Sequence, residues 1–274
     1  MDLHLRDKVV LITGGSRGIG FALAQGFAAE GARVAICARD MVRLEQAATE
    51  IRAAGGQCVA IRADLFKPED CANAVAQTVA AYGKLDIMIN NASTNVDKVP
   101  RSIEEATDEQ VTERFQGKTM AAIRCTRAAL PHLRASGAGR VVCIGGMAAR
   151  TVQRGAERPG AGSGLAQGLG NAALANFVKY LAEETAADGI VVNIVHPGLT
   201  RTDRHATRME RQAATRNVSV ADVEAETASH VPIGRIVEPK DIVPLVLLLA
   251  SPLAAGITAQ AIAVDGGAAR GIQY

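Results

Sequence analysis

The sequence predicts one α/β domain, a doubly wound parallel β-sheet with helices on both faces. Short apolar runs alternate with segments of helical period along the 274 residues. The apolar runs are hydrophobic at nearly every position, which is typical of strands whose sheet is covered by helices on both sides. This length is sufficient for a substantial core without disulfides or metals. We therefore expect residues 1–274 to form a single domain.

The elements are predicted in strict β–α alternation. The strand-like runs are 9–12, 31–37, Cys58–Ile61, Leu85–Asn90, Arg140–Ile144, Ile190–Val195 and Ala261–Val264. Met41–Ala54 and Ala72–Tyr82 show helical periodicity between them. Residues 155–170 are rich in Gly and Ala and predict a loop inside the domain.

A glycine-punctuated turn at residues 14–20 links the first apolar run to an alanine-rich helical pattern. Gly14 can adopt backbone angles closed to other residues, whereas Gly18 and Gly20 let the main chain approach a pyrophosphate and pack against the sheet. The helix that follows presents its N-terminus to the phosphates. Because the run 31–37 lies where the second strand of a βαβ unit belongs, the turn predicts a dinucleotide site.

Composition excludes several classes of function. A net charge of +2 from nearly balanced acids and bases gives no footprint for nucleic acid or an anionic membrane. The locally basic stretch Arg201–Arg216 is interpreted as a solvated helix face, and the alternative is a contact with a phosphate or an acyl carrier. Charges near Met1 rule out a signal peptide and the apolar stretch Ile242–Ala250 is too short to span a bilayer, so we expect a cytoplasmic protein. The five cysteines form no C-x-x-C pair and are expected in the core, with no metal site.

Four further motifs complete a pattern over essentially the whole chain. They are Ala63-Asp64-Leu65, Asn90-Asn91-Ala92-Ser93, Pro197-Gly198-Leu199-Thr200-Arg201-Thr202 and Val264-Asp265-Gly266-Gly267. With the glycine turn, they make the sequence resemble the short-chain dehydrogenase/reductase family of classical length. The resemblance implies a Rossmann-like fold, a lid at about 200–230, and a homodimer or homotetramer formed through helices in Glu104–Leu133 and Leu165–Ala187.

The same resemblance implies which residues hold the cofactor. They are Gly14, Ser16, Arg17, Gly18, Ile19, Gly20, Arg39, Asp64, Leu65, Asn91, Ala92, Pro197, Gly198, Thr200 and Thr202. Asn90 is placed along the ribose as well, although Asn90 and Asp64 alternatively brace strand ends. At the end of the second strand, Ala38 stands where an acid would bind a ribose diol, and Arg39 with Arg17 can flank a 2′-phosphate. This favours NADP(H) over NAD(H), with Asp40 as the opposing feature.

The chain departs from the family at the catalytic positions. The family's usual asparagine, serine, tyrosine and lysine slots correspond here to Lys118, Gly146, Gln167 and Asn171. The sequence contains no Tyr-x-x-x-Lys, since Tyr82 and Tyr180 are followed four positions later by acids and Tyr274 ends the chain.

Lys118 and Asn171 suggest an exchange of ammonium and amide between adjacent helices, with Lys118 reaching the ribose or a relay water. The alternative is that Lys118 points to solvent and Asn171 caps a helix. His196 is the candidate replacement acid, because its ordinary pKa suits proton donation, although strand-end histidines are more often structural. Further candidates are Ser163, Glu157, Arg158 and Tyr274.

These observations predict an atypical NADP(H) oxidoreductase acting on a small carbonyl or alcohol. The alternative is a catalytically silent homologue that binds the cofactor as a regulatory or structural partner. A lyase or isomerase on the same scaffold is a third reading. Met147 and Met209 are expected to shape an apolar substrate pocket under the lid.

Overall fold

Seven parallel strands form one sheet in the order β3-β2-β1-β4-β5-β6-β7. The computed structural model describes residues 1–93, 102–152 and 164–269. The strands are β1 Val9–Thr13, β2 Arg33–Ala38, β3 Gln57–Arg62, β4 Ile87–Asn90, β5 Arg140–Ile144, β6 Val191–Pro197 and β7 Ala261–Val264. The helices are α1 Gly18–Ala29, α2 Met41–Ala53, α3 Pro68–Tyr82, α4 Asp108–Phe115, α5 Ala121–Ala135, α6 Leu165–Thr185, α7 Asp203–Arg216, α8 Val220–Ser229 and α9 Pro239–Ala250. The predicted doubly wound fold is confirmed.

The strand order shows where along the sheet a ligand crevice is expected. From β1 the chain runs outward through β2 and β3, then returns so that β4 pairs with β1 on its other side. Because all strands are parallel, their carboxyl ends lie along one edge. In such sheets the ligand crevice lies outside the carboxyl ends, where the winding direction reverses. That point is between β1 and β4.

The core has two layers, one on each face of the sheet. Strand side chains alternate between faces, so Val10 and Ile12 pack with α1, α2 and α9. Val9 and Leu11 enter the opposite layer, with α3, α5 and α6. Both layers are apolar, as the continuous hydrophobic character of the strands predicts.

The helical region predicted over Glu104–Leu133 is divided into three parts. Thr107 caps α4 in a capping box with Gln110, and a π-helical segment, Gln116–Met120, joins α4 to α5. Such π segments widen the helix locally and recur at functional sites. Here the segment contains Lys118, and the side chain is buried rather than directed to solvent.

Asn171 lies in the interior of α6, which begins at Leu165. The interpretation of Asn171 as a helix cap is therefore wrong, because a cap stands at the helix end, where backbone groups lack partners. Among the described residues, no helix has the length and hydropathy needed to cross a membrane. The same part of the chain contains no cluster of acids, histidines and cysteines suited to a metal ion.

Candidate cofactor and substrate cleft

A cavity of about 740 Å³ opens at the carboxyl edge of the sheet. It is lined by the loops that follow β1 to β6, together with α4, the π-helical segment, α6 and α7. The residues predicted to bind cofactor line this cavity, with the exception of Asn90. They are Gly14, Ser16, Arg17, Gly18, Ile19, Gly20, Arg39, Asp64, Leu65, Asn91, Ala92, Pro197, Gly198, Thr200 and Thr202. Lys118, Gly146, Gln167 and Asn171 line it as well.

The turn after β1 requires glycine at two positions. Gly14 has a φ of +67°, a left-handed conformation that favours glycine. A Cβ added at Gly20 would lie 2.2 Å from the Gly14 carbonyl oxygen and 2.4 Å from Asn91 Nδ2. The N-terminus of α1 therefore packs directly against the preceding turn, and its first residues, Gly18, Ile19 and Gly20, line the cavity, as expected of an anion site at a helix N-terminus.

Thr13 and Asn91 fix this turn to the end of β4. Thr13 Oγ1 accepts hydrogen bonds from the backbone N–H groups of Asn91 (2.9 Å) and Ala92 (3.0 Å). Asn91 Nδ2 donates to the carbonyls of Thr13 (2.9 Å) and Gly14 (3.2 Å). These bonds join the turn after β1 to the loop after β4, at the position where the winding of the sheet reverses.

Asn90 has a structural role. Its side chain is buried, and Nδ2 donates to Thr126 Oγ1 at 2.9 Å, tying β4 to α5. It is not among the residues that line the cavity. The placement of Asn90 along the cofactor ribose is therefore wrong, and the strand-bracing alternative describes it.

At the end of β2 the cavity wall consists of Ala38, Arg39 and Asp40. The Asp40 side chain accepts from the backbone N–H of Arg43 at 3.2 Å and forms an ion pair with Arg43 Nε at 3.6 Å. Asp40 is thus engaged as the cap of α2. Asp64 Oδ1 accepts from the Phe66 N–H at 3.3 Å, which shapes the loop after β3.

Lys118 is buried at the cavity wall, with 8% of its surface exposed. Its Nζ donates to the Gly145 carbonyl oxygen at 3.2 Å, just beyond β5. Burial, reinforced by the positive charges of Arg114 and Arg204, lowers the pKa of Lys118 to about 7. The reading in which Lys118 points to solvent is wrong.

Asn171 and Gly146 fit against each other. A Cβ added at Gly146 would lie 3.1 Å from Asn171 Nδ2, so a serine there would crowd the amide. Asn171 is buried, and its Oδ1 has no hydrogen-bond partner among the described residues. Because an unpaired buried acceptor is costly, this oxygen is a candidate to receive a donor from a ligand.

His196 is enclosed behind the cavity wall. It is fully buried, is not a lining residue, and its Nδ1 accepts from the Gly146 N–H at 3.1 Å. Burial, together with the positive charges of Arg150 and Lys118, lowers its pKa to about 4. A neutral, enclosed imidazole has no path to a bound substrate, so the interpretation of His196 as the general acid is wrong.

Further arginines that line the cavity include Arg114, Arg204 and Arg208. Arg204 and Arg208 stand four residues apart on α7, which places them on one helix face. Arg204 is exposed and Arg208 is half-buried, so this face of Arg201–Arg216 is solvated and borders the cleft at the same time. The spacing of Arg204 and Arg208 in the sequence is the signal for a shared helix face, whereas no local pattern marks Arg114.

The lid also differs from expectation in its apolar residues. Met147 lines the cavity, but Met209 is buried inside the lid against Ala213 and Val223. The expected apolar pocket is therefore replaced, on the lid side, by charged residues. Ser163, Glu157, Arg158 and Tyr274 lie outside the described residues.

Comparison with known proteins identifies the family. A family model described as Enoyl-(Acyl carrier protein) reductase matches residues 14–269. The chain is 34% identical over 265 residues to an uncharacterized oxidoreductase of Mycobacterium tuberculosis, covering 96% of this chain and 93% of that protein. It is 35% identical over 268 residues to the rhamnolipids biosynthesis 3-oxoacyl-(acyl-carrier-protein) reductase of Pseudomonas aeruginosa, covering 96% of both.

A solved structure is similar over the same extent. The L-sorbose reductase of Gluconobacter frateurii, complexed with NADPH and L-sorbose, superposes with a TM-score of 0.90 at 31% identity, covering 99% of this chain and 100% of that one. The chain belongs to the short-chain dehydrogenase/reductase family.

Proposed function

We propose that this protein is an NADP(H)-dependent oxidoreductase that interconverts a small carbonyl compound and its alcohol, with Lys118 as the proton donor in place of the family's tyrosine. The observation that carries this proposal is the buried ammonium of Lys118 in the wall of the cleft, bonded to the Gly145 carbonyl. The sequence resemblance assigns the other slots of the usual catalytic set to Gly146, Gln167 and Asn171, and all of these line the same cleft.

The residues of the cleft fit a phosphorylated dinucleotide. The tight turn at Gly14 and Gly20 gives the close approach of backbone that a pyrophosphate requires. Ala38 leaves no carboxylate at the end of β2, and Arg17 and Arg39 provide guanidinium groups for a 2′-phosphate. NADPH in the structure of the similar L-sorbose reductase supports the same choice of cofactor.

Bound NADPH would supply the hydride for reduction. In that direction a C–H bond forms at the carbonyl carbon, the electron pair of the C=O π bond moves to oxygen, and that oxygen takes a proton from the Lys118 ammonium. The neutral amine then regains its proton from solvent. A positioned donor whose pKa lies near the working pH contributes about 10²- to 10⁴-fold to such a step.

Asn171 is proposed as a positioning residue. Its Oδ1 has no partner in the described part of the chain, and its Nδ2 faces Gly146. It is therefore placed to accept from a hydroxyl of cofactor or substrate. This division of roles develops the exchange hypothesis, with the ammonium on the π-helical segment and the amide on α6.

The first test is a calorimetric titration of the protein with NADPH and NADH. We expect NADPH to bind more tightly, by at least about tenfold, because a bidentate phosphate contact adds charge-assisted hydrogen bonds. A carbonyl panel screened by NADPH oxidation then identifies a reduced compound. Binding without hydride transfer would instead favour the catalytically silent homologue, and absence of binding by either nucleotide would contradict the redox function.

Two variants separate proton donation from electrostatics at position 118. Lys118→Met removes the donor, and we expect a loss of about 10²- to 10⁴-fold in kcat. Lys118→Arg keeps a positive charge whose pKa is too high for proton release near neutrality, so its activity should fall nearly as far. Lys179→Met, on the exposed face of α6, is the matched control. Activity retained in Lys118→Arg would contradict the role of a proton donor.

We also propose that copies of the chain associate through α4, α5 and α6 as a homodimer or homotetramer. On α6, Leu169 is 50% exposed and Tyr180 is 71% exposed, and exposed large apolar side chains on one helix favour a protein contact. Sedimentation of the wild type and of Tyr180→Glu tests this proposal. A monomeric wild type would contradict it.

A further inference from the structure

We propose that Arg124 is a positioning residue that joins the nucleotide side of the cleft to the π-helical segment carrying Lys118, and thereby couples nucleotide binding to the placement of that ammonium. The inference rests on the proposed function, because it names a residue that acts on the proposed proton donor. The described residues that line the cavity include neither Arg124 nor Gln116, its partner in the π-helical segment. Any effect of these two side chains on binding or reaction is therefore transmitted through other residues.

The Arg124 guanidinium group, on α5, bonds to two separate walls of the cleft. Its Nη2 donates to Gln116 Oε1 at 2.8 Å, at the first position of the π-helical segment. Its Nη1 donates to the carbonyl oxygens of Phe66, at 3.1 Å, and Leu65, at 3.5 Å, in the loop after β3. The planar fork of arginine holds acceptors in two directions at fixed geometry, which a lysine ammonium does not. Because Arg124 and Gln116 are both half-buried, water competes only in part for these bonds.

The bridged segments lie on opposite sides of the position expected for the cofactor pyrophosphate. That position is the N-terminus of α1, directly after β1. In the sheet, β2 and β3 lie on one side of β1, and β4 and β5 lie on the other. Residues 63–66, after β3, line the cavity on the first side. Lys118 contacts Gly145, after β5, on the second side. Arg124 thus connects the nucleotide side to the reacting side from outside the cavity lining.

The π-helical segment is held at three points, and each leads to a different element. Lys118 Nζ donates to the Gly145 carbonyl oxygen, and Thr119 Oγ1 donates to the Gly170 carbonyl oxygen, in α6, at 2.8 Å. The third point is the bond from Arg124 to the start of the segment. Of the three, this bond is the one that leads to the loop after β3. Its loss should therefore loosen the segment and separate the placement of Lys118 from the nucleotide side.

The environment of Lys118 reports on that placement. Burial, reinforced by the positive charges of Arg114 and Arg204, lowers the pKa of Lys118 to about 7. The charge of Lys118 also interacts with Cys143 and His196, but burial raises the pKa of Cys143 to about 12 and lowers that of His196 to about 4. Both are therefore neutral near pH 7. A loosened segment would admit water to the ammonium, and hydration returns the pKa of Lys118 toward its ordinary value of 10.5.

The pKa of Lys118 is the first readout, and it does not require a known substrate. Reductive methylation with ¹³C-formaldehyde gives each lysine an NMR signal, and Lys118→Met identifies the signal of interest. We expect the pKa of Lys118 to rise by about one unit in Arg124→Met and in Gln116→Met, in the free protein and in the NADP⁺ complex. Arg124→Lys keeps the charge without the fork and should show a similar rise. Arg127→Met, at an exposed position of α5, is the matched control and should leave the pKa unchanged.

A double-mutant cycle tests the coupling to the nucleotide. The probe is 2′-phospho-ADP-ribose, which has the nucleoside and phosphates of NADPH but no nicotinamide, titrated by calorimetry. We expect Gln116→Met to weaken its binding about threefold, although Gln116 belongs to the segment on the other side of the cleft. In the Arg124→Met background the same substitution should have no further effect, because the bridge is already broken.

Activity provides the third readout once a carbonyl substrate is identified. Arg124→Met and Gln116→Met should each lower kcat about tenfold, since a misplaced donor transfers its proton less effectively, while KM for the carbonyl compound changes less. The fall of kcat/KM above about pH 7 should move to higher pH, following the pKa of Lys118. Thermal unfolding confirms that each variant is folded, and the two variants approach the same bond from its two ends.

Three results would overturn the inference. They are an unchanged pKa of Lys118 in both Arg124→Met and Gln116→Met, effects on 2′-phospho-ADP-ribose affinity that multiply in the double variant, and wild-type behaviour of Arg124→Lys. The proposed function fails separately, when NADPH is neither bound nor oxidised. A raised pKa of Lys118 in the free variants would then support the bridge and remove only the redox assignment.

Discussion

The two ends of the cleft recognise ligands in different ways. At the cofactor end, the glycine turn is held by the Thr13 and Asn91 hydrogen bonds, and Arg17 and Arg39 line the wall beside it. At the substrate end, the wall contains the buried side chains of Arg114 and Lys118, beside Asn171 Oδ1, which has no hydrogen-bond partner in the described part of the chain. A backbone site tolerates few sequences, whereas a side-chain site changes chemistry with single substitutions.

The two ends place different demands on the sequence. The turn at residues 14–20 has steric constraints that only glycine meets at Gly20. At the substrate end, the π-helical segment carries Lys118 to the wall of the cleft, where burial and the charge of Arg114 act on its ammonium. We therefore expect substitutions in the glycine turn to act through geometry, and those at residues 38 and 118 to act through charge.

The largest effect is expected from Gly20→Ala. The new Cβ would lie 2.2 Å from the Gly14 carbonyl oxygen, so the turn must shift away from the geometry that receives a pyrophosphate. We expect NADPH affinity to fall roughly 100-fold, measured by calorimetry, since overpacking costs about 1–3 kcal/mol and a clash with a backbone carbonyl lies at the upper end of that range. The control Gly256→Ala adds the same methyl group where nothing lies within 4 Å. Unchanged affinity in Gly20→Ala would contradict the geometric account of this end.

Ala38→Asp should reverse the preference between cofactors. A carboxylate at the end of β2 accepts from a ribose diol and repels a 2′-phosphate. We expect the ratio of NADPH to NADH affinity to fall about 10- to 100-fold, because like charges face each other at close range. Ala72→Asp, at an exposed position of α3, adds the same charge away from the cavity and should leave the ratio unchanged. A ratio that does not move would show that residue 38 lies away from the 2′-phosphate.

The cofactor end was largely predictable from sequence because its signals are local. Glycine spacing between an apolar run and a helical pattern identifies the turn, and the position of Ala38 follows from the end of the next strand. Asn90 was the exception. Its neighbour Asn91 contacts the turn, but Asn90 points the opposite way, into the core beside Thr126, since successive strand residues face opposite sides.

At the substrate end the decisive properties depend on tertiary packing. No local pattern shows that Lys118 is buried and that the charges of Arg114, in α4, and Arg204, in the lid, act on its ammonium. Nor does it show that His196, one residue from the end of β6, turns toward Gly146 instead of the cleft. The resemblance to the family singled out Lys118 and His196 as candidates. Their protonation states depend on burial and on charges from other elements of the fold, which the sequence pattern does not show.

The pH dependence of reduction tests whether the charge at the substrate end, on Lys118, takes part in proton transfer. If Lys118 donates the proton, kcat/KM should be constant below about pH 7 and fall about tenfold per pH unit above it, because only the protonated form is active. Arg114 and Arg204 face Lys118 as fixed positive charges. Cys143 has its pKa raised to about 12 by burial and stays neutral, and so does His196. A profile that is flat from pH 6 to roughly 9 would contradict the assignment.

The smallest expected effect is on stability, and its sign is set by the same charge. The pKa of Lys118 is about 7 in the folded protein, below its ordinary value of 10.5, so the folded state disfavours the ammonium. At pH 7 and below, Lys118 is largely protonated in both the folded and the unfolded protein, so the full free-energy cost of burying the ammonium applies. Between pH 7 and 10.5 the unfolded state binds more protons, and stability therefore rises with pH in that window.

Lys118→Met should accordingly raise the free energy of unfolding, by roughly 1–3 kcal/mol near pH 6, with the gain shrinking toward pH 10. Thermal unfolding measures this as an increase in Tm of a few degrees. The control Lys179→Met removes an exposed charge and should change Tm little at any pH. A Lys118→Met variant that is less stable at pH 6 would show that the ammonium is stabilised by its surroundings, which contradicts the unfavourable burial that lowers the pKa of the proposed proton donor.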